Sequence, residues 1–595
     1  MKDLYQERIF QIETKQGRLR KLFNLIYAIR LFSFIGFVAF LVWFSVSQDN
    51  FYLACVSCFF LLFFLVAIKV DTVLILKQKD LNSRLKVNLS EVQFSTFSFQ
   101  SFGEGREFIN LNSALANDFD LFGESSLYQY LNRSITKSGR EKFAHRLLTQ
   151  GNDISQIVRY QSAIAELAER PEQLEEYQSL GIDICEEGDE QERLLNWLSE
   201  SGSCGRWTHN LLYIYPVTLL LFIVASALGI FSSAVLLFPV FYSFWVTSRK
   251  VRIVNRVHDE LGRNAKLFGQ FEKIIAVVEN GEFESEFLQQ ITEKFKKGDK
   301  GAVSSLNQLY RILEWFDYRY NMVVSVLLNT LVLYDLWLLV RLDRWRNENR
   351  EFVAGYFKAL SEFDALIGFS RFAMNNRDNV VYPEVVDEDF IFETSQMGHP
   401  LIIPESRVNN DIVFGGKPCV LVITGANMAG KSTFLRTMVV NLILAMNGAP
   451  VCARYFRFSP CAILSSINIR DSLSQRASYF YAELLRIREI IDSVERMPRT
   501  FVVLDEILRG TNTKDKQTGS LGLLEKFIGL NAVVVIATHD LVIGELENKY
   551  PDIVLNRCFE VELEDDELVF DYKLKHGISK KINASVLMRK IGIID

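Results

Sequence analysis

The chain has 595 residues, enough for several domains, and a formal net charge of −6, which excludes a chain-wide basic footprint for nucleic acid. Its hydrophobic share of 49%, with 47 phenylalanines, is high for a water-soluble protein, so apolar residues are concentrated in particular segments. The 8 cysteines are scattered, which argues against a disulfide framework, and Cys55-x-x-Cys58 lies in an apolar run without a second ligand pair.

The first apolar concentration follows Arg30. Runs 32–47 and 51–68 carry no charge, and each is near the lower length for crossing a hydrocarbon core of about 30 Å. Only Gln48, Asp49 and Asn50 separate them, so they read as a tight helical hairpin; a cleaved signal peptide would begin earlier and would not be followed by a second run. Residues 207–248 contain no Asp, Glu, Lys or Arg and read as a second hairpin turning near 229–233. Basic residues flank both hairpins: Arg18, Arg20, Lys21, Arg30, Lys69, Lys77 and Lys79 around the first, Arg206, Arg249, Lys250 and Arg252 around the second. Positive-inside logic places all these flanks, and both large regions, in the cytoplasm of a multi-pass inner-membrane protein. A fifth run, 321–340, contains Asp335 and has arginine on both sides, so it is expected as one long buried helix of the cytoplasmic core, with a membrane-lying helix as the alternative.

Between the hairpins, an extended Phe/Ser-rich stretch over 92–108 gives way to helical patterning. Near the C-terminus the pattern changes to alternating strands and helices. An apolar run at 419–423 leads into Gly425, Ala426, Asn427, Met428, Ala429, Gly430, Lys431, Ser432 and Thr433, which fits G-x-x-x-x-G-K-[ST] and precedes a helical pattern at 434–446. Such a loop closes its backbone N–H groups and a helix N-terminus around phosphate oxygens. Lys431 is expected to reach the β- and γ-phosphates, and Ser432 to ligate Mg²⁺. Two further strands end in chemistry: 501–504 in Asp505 and Glu506, suited to holding metal and polarising water, and 532–537 in Thr538 and His539, suited to sensing a γ-phosphate. The reaction implied is ATP hydrolysis. Alternating residues over 559–574, around Asp565 and Asp566, predict a β-hairpin.

These residues also carry a resemblance. Thr424-Gly-Ala-Asn-Met-Ala-Gly-Lys-Ser-Thr-Phe-Leu-Arg436 resembles the nucleotide loop of the MutS mismatch-repair family, and Asp505-Glu-Ile-Leu-Arg-Gly-Thr-Asn-Thr513 its second ATPase motif. Ser478-Tyr-Phe-Tyr-Ala-Glu483 is similar to its S-x-F-x-x-E segment, and Gly398-His-Pro400 to the entry of its ATPase domain. Asp120-Leu-Phe-Gly123, Thr136, Gly139 and Arg140 resemble the start of its helical core. The resemblance implies two ATPase domains that complete each other's sites in a homodimer, with Ser478, Arg509, Gly510, Thr511, Asn512 and Thr513 at the interface. It implies DNA, mismatched or branched, as a partner, and it places Arg407 where an adenine-stacking aromatic usually stands; a guanidinium can also stack on a base. The chain departs from common members at Ala426, Ala429, Leu508 and Asn512. The family's mismatch reader uses Phe-x-Glu, and the strings at Phe102 and Phe122 read as coincidences outside any domain of their own.

The expected fold class is multidomain, α plus α/β. A cytoplasmic segment (1–30) and transmembrane hairpin (31–70) precede helical core (71–206), second hairpin (207–248), helical lever and core (249–385) and a MutS-type P-loop ATPase domain (386–595). The expected function is a membrane-anchored ATPase that couples ATP and Mg²⁺ to DNA binding in mismatch repair or a related transaction. Rivals are a mechanochemical ATPase acting on a protein or lipid partner, and a nucleotide-gated scaffold that does not hydrolyse ATP.

Overall fold

A computed structural model describes all residues except 1, 48–50, 112–113, 150, 152, 183, 185–189, 201–204, 263–264, 299, 416–419, 427, 468–478, 498, 565–566 and 580–595. Asn427, Ser478 and the turn at Asp565 and Asp566 therefore lie outside the described residues. The chain forms two compact units: residues 1–95, 171–282 and 290–360 in the first, and 96–170, 283–289 and 361–595 in the second.

The first unit opens with two helices, Lys2–Val46 and Phe51–Ser95, of 45 residues each. At 1.5 Å per residue each is about 67 Å long, roughly twice a hydrocarbon core. Neither contains proline, so nothing stops the helix where the apolar run meets the polar one. This corrects two expectations: residues 2–30 are not a separate segment but the first part of one continuous helix, and residues 92–95 are helical rather than extended. In the apolar halves aromatic rings interlock, with Phe34 on Phe64 at 5.4 Å and Phe40 on Phe60 at 5.6 Å between centroids. Gly36 admits the Phe60 ring, which a Cβ would meet at 2.7 Å. In the polar halves Arg30 pairs with Asp71 at 2.6 Å and Gln16 donates to Asn82 at 2.8 Å.

Among the described residues three helices are long and apolar enough to cross a membrane: Asp3–Val46, Phe51–Ser95 and Trp207–Ala227. The partner arm of the second hairpin, helix Leu237–Glu260, does not qualify by length and composition. Its first three turns are apolar, but Arg249, Lys250, Arg252 and Arg256 follow on the same helix. The turn falls over 228–236, as expected.

The fifth apolar run is not one buried helix. It breaks at Leu333, whose φ of +51° is strained for a branched residue, into Met322–Val332 and Tyr334–Asn349, which meet at 76°. The first half buries no side chain, with Met322 80% and Val323 77% exposed, whereas the second buries Leu336, Leu338, Leu339, Leu342 and Trp345. Asp335 sits just past the break, where Arg319 pairs with it at 2.8 Å and Asn329 accepts its backbone N–H at 3.0 Å. Arg319 thus compensates the buried carboxylate, while Asn329 takes up the backbone N–H just past the break.

In the second unit, residues 96–170 carry the Phe-rich stretch as a packed turn: Phe97 and Phe99 lie on Tyr130, and Phe108 and Phe122 on Tyr128. Phe122 of the second Phe-x-Glu string is part of this packing, and Gly123 N–H donates to the carbonyl of Glu104, the last residue of the first string, at 2.8 Å. Buried Asp364 accepts from Ile135 N–H, Thr136 N–H and Thr136 Oγ at 2.8–3.1 Å, pinning the start of helix Lys137–Leu148. Gly139 is needed there because a Cβ would stand 2.0 Å from Asp364 Oδ2.

The C-terminal region holds ten strands: β1 (Glu384–Val385), β2 (Ile391–Met397), β3 (Asn410–Gly415), β4 (Val420–Gly425), β5 (Tyr455–Phe458), β6 (Ala462–Ser466), β7 (Thr500–Asp505), β8 (Val533–Thr538), β9 (Val554–Glu564) and β10 (Glu567–His576). They form a four-stranded sheet, β1-β5-β2-β3, and a six-stranded sheet, β10-β9-β4-β8-β7-β6. In the larger sheet every pair is parallel except the β9–β10 hairpin, which is antiparallel as expected. Strands β4, β7 and β8 are buried throughout, which is why they read as unbroken apolar runs. Their C-terminal ends carry Gly425, Asp505 and Thr538, so the fold gathers at one edge the three motifs that the sequence spaces far apart.

Candidate nucleotide site

Strand β4 ends at Gly425, and the loop after it leads to helix Lys431–Met446. The residue before that helix, Gly430, has φ +101°, a left-handed backbone on which a side chain would be strained. The helix thus begins with unpaired N–H groups at the mouth of a cavity of about 420 Å³. Lys431 and Ser432, its first residues, line the cavity together with Thr433 and Glu506. Lys431 Nζ donates to the carbonyls of Gly425 at 2.8 Å and Ala426 at 3.0 Å, and stands 3.9 Å from Glu506 Oε1. Burial pushes its pKa below the ordinary lysine value, and the carboxylates of Glu506 and Asp505 oppose that shift.

Ser432 Oγ donates to Asp505 Oδ2 at 2.5 Å, while Asp505 Oδ1 is buried with no hydrogen-bond partner. Burial holds the Asp505 carboxyl above the usual carboxylate range, and the Ser432 hydrogen bond and Arg509 oppose it. A desolvated carboxylate with an orphaned oxygen, beside a serine hydroxyl, is a donor set that fits a hard divalent cation such as Mg²⁺.

Glu506 has φ +48°, and its backbone N–H donates to the Ala537 carbonyl at 2.9 Å, so the turn after β7 is held by β8. His539, at the end of β8, brings Nδ1 to 3.5 Å from Glu506 Oε1 and is half exposed. Arg509 Nε donates to the Glu506 carbonyl at 2.9 Å. Lys431, Ser432, Asp505, Glu506 and His539 are therefore brought together. Arg407 is not among the cavity-lining residues: its side chain lies over Gly398, where a Cβ would meet Arg407 Cδ at 2.5 Å, and beside the Cys452 thiol.

An aromatic does stand at the cavity, and sequence reasoning missed it. Tyr572 lies opposite Gly430, at 3.1 Å from where a Cβ would be, and its ring stacks on Phe570 at 5.9 Å. The β9–β10 register slips between Phe570 and Leu574, and Tyr572 takes φ +49° in that bulge. Asn410 clamps the bulge, donating to the Tyr572 carbonyl at 3.0 Å and accepting from Leu574 N–H at 2.8 Å. The only signal in the sequence is that Phe570 and Tyr572 share one face of an alternating strand. His399 also lines the cavity; burial, with Arg436 and Arg407 nearby, lowers its pKa to about 4, so the ring is neutral at physiological pH.

The loop expected at a dimer interface is largely exposed at Arg509 and Gly510, and Asn512 caps helix Thr513–Gly529 by accepting from Asp515 N–H at 2.9 Å. Leu508 has φ +59°, a left-handed backbone that glycine adopts without strain and leucine does not. Here the leucine is buried and packs over Gly519, where a Cβ would meet it at 2.7 Å. Glu483 holds the loop from below, its Oε1 accepting the Leu508 N–H at 2.5 Å. Glu483→Ala is expected to leave that buried N–H unpaired and to lower stability by about 1–3 kcal/mol, read as a lower midpoint of thermal unfolding with earlier proteolytic cutting near 508.

Residues 421–590 match the family model described as MutS domain V. Similar curated proteins include "DNA mismatch repair protein MutS" of Ehrlichia ruminantium, 30% identical over 226 residues, 38% of this chain and 27% of that protein. The protein of the same name from Caldanaerobacter subterraneus subsp. tengcongensis is 31% identical over 229 residues, 38% of this chain and 26% of that one. "DNA mismatch repair protein MSH3" of Vanderwaltozyma polyspora is 32% identical over 231 residues, 37% of this chain and 22% of that one. The chain thus spans about a quarter of the length of these relatives.

Proposed function

Because the chain belongs to the MutS family through its C-terminal domain, we propose that it is a membrane-anchored ATPase that couples ATP binding and hydrolysis to a DNA transaction. The observation that carries the ATPase reading is the convergence of Lys431, Ser432 and Glu506 on one cavity, with Asp505 hydrogen-bonded to Ser432 and His539 at 3.5 Å from Glu506. The helix N-terminus and Lys431 bind the phosphates, the lysine exchanging its loop carbonyls for phosphate oxygens. Ser432 and Asp505 would hold Mg²⁺, which supplies charge neutralisation at the phosphates. Glu506, pinned through its backbone, orients and polarises the attacking water, and His539 stands beside it to contact the γ-phosphate. Tyr572 offers a ring for the base, a role Arg407 is not placed to fill at this cavity.

The exposed 509–513 loop is the surface on which a second copy would complete the site. The apolar lengths of helices Asp3–Val46, Phe51–Ser95 and Trp207–Ala227 support anchoring in the bilayer. DNA is the partner named by the relatives.

The test is ATP turnover by detergent-purified protein with homoduplex, mismatched or branched DNA at two salt concentrations. Stimulation by one DNA structure that fades with salt is expected. Steady Lys431-dependent turnover indifferent to every DNA would sink the DNA half of the proposal and favour a protein or lipid partner.

A further inference from the structure

A second cavity, of about 880 Å³, lies within the first unit, between helices Arg206–Ala227, Met322–Val332 and Tyr334–Asn349. It is lined from both sides of the break at Leu333, by Leu328 and Val332 before it and by Tyr334, Trp337 and Val340 after it. The break is held rigidly: Leu333 is fully buried, Tyr215 donates to the Thr330 carbonyl at 2.6 Å, and Tyr334 donates to the Trp315 carbonyl at 3.0 Å. Strain that is so well supported marks a built feature.

The walls differ in character. Leu212, Pro216, Leu328 and Val332 make one side apolar, and they come from helices that expose further apolar side chains such as Leu220, Leu221, Met322 and Val323. On the other side Trp337, Val340, Arg341 and Arg344 stand at i, i+3, i+4 and i+7 on one helical face. The two arginines are not equivalent. Arg344 is already paired with Glu348 at 2.8 Å. Arg341 has no carboxylate partner among the described residues; its guanidinium is held over the rings of Trp337 at 4.5 Å and Trp315 at 5.1 Å. Four of the seven tryptophans, Trp207, Trp245, Trp315 and Trp337, lie on these helices or against them, and Arg249 lies over Trp245 at 4.2 Å. Amphipathic rings and stacked arginines together are the side chains expected at the level of lipid headgroups.

The geometry points to a binding site for an anionic phospholipid, its phosphate on Arg341 and its acyl chains along Leu212, Pro216, Leu328 and Val332. This inference rests on the membrane reading above and adds to it a specific lipid class and a specific residue. A guanidinium already flattened against indoles pays little further entropy to meet a phosphate, and a cationic pocket between apolar helices selects against neutral headgroups.

The test uses the full-length protein in mild detergent, stripped of endogenous lipid and titrated in native mass spectrometry with phosphatidylglycerol, phosphatidylcholine or inorganic phosphate. Phosphatidylglycerol is expected to be retained about fivefold to tenfold more tightly than phosphatidylcholine, a preference that Arg341→Gln abolishes, Arg341→Lys partly restores and Arg344→Gln changes little. Equal retention of the two lipids by the unaltered protein, or an unchanged preference in a folded Arg341→Gln protein, would overturn the assignment. So would complete displacement of phosphatidylglycerol by equimolar inorganic phosphate, which would make this a site for a free anion. Alkaline carbonate extraction separates the two levels: release into the soluble fraction would fail the anchor itself, whereas retention without lipid preference would fail this site alone.

Discussion

Glu506→Gln is expected to lower ATP turnover by about two to three orders of magnitude while leaving nucleotide affinity nearly unchanged. The amide has the shape of the carboxylate but cannot polarise water towards the γ-phosphate. The backbone of this residue, not its side chain, makes the link to Ala537, so the turn after β7 survives the change. Lys431, Ser432 and Asp505 keep their own contacts through the loop carbonyls and the Ser432–Asp505 hydrogen bond, so binding persists. Single-turnover kinetics beside a fluorescent-nucleotide titration measure the two effects separately. Unchanged turnover would favour a nucleotide-gated scaffold, or put the base elsewhere.

Asp505→Asn is expected to act in opposite directions on stability and on activity. In the metal-free protein this carboxylate is buried, with one oxygen orphaned, so removing its charge should raise stability by about 1 kcal/mol or more. The sign follows from the direction of its pKa. Burial raises the folded-state value above the ordinary one, so this group's stability is fully present below the ordinary carboxylate value and is lost as pH rises through the raised value. The gain of the asparagine protein over the parent should therefore emerge as pH climbs through the carboxylate range and persist at neutral pH. Adding Mg²⁺ should stabilise the parent and not the variant, since a cation rewards the ionised form that burial penalises. Turnover in the variant should fall steeply. Thermal unfolding across pH, with and without Mg²⁺, reads the first effects; equal stabilisation of both proteins by the cation would place the metal away from Asp505.

The edge that carries the candidate site was legible because each of its motifs terminates a fully buried strand, and buried parallel strands announce themselves as apolar runs. Gly425, Lys431, Asp505, Glu506 and His539 could be placed from that alone. Tyr572 could not, because it reaches the cavity through a register slip in the hairpin, and alternation locates a face but not a bulge. The Arg407 expectation came from a position along the chain, whereas the side chain follows the space left by Gly398. The long helices were legible in their apolar halves only. A polar heptad-like continuation without proline leaves no mark where the hydrophobic run stops, so residues 2–30 read as a tail. The break at Leu333 was hidden for another reason: neither glycine nor proline signals it, and the Arg319 ion pair that holds Asp335 just past it leaves no mark in the local pattern.

The two 45-residue helices have one more implication. If their apolar halves lie in a bilayer, the polar halves rise from it without a joint, and the chain is denied tumbling as well as free diffusion in three dimensions. Copies of the protein would then share one up-and-down sense and meet by sliding and spinning within a sheet. Encounter between their nucleotide-binding faces becomes a search over one angle and two coordinates, and local crowding substitutes for intrinsic affinity. A pairing surface under those conditions can be small and easily parted, which suits a machine that must open again after every cycle.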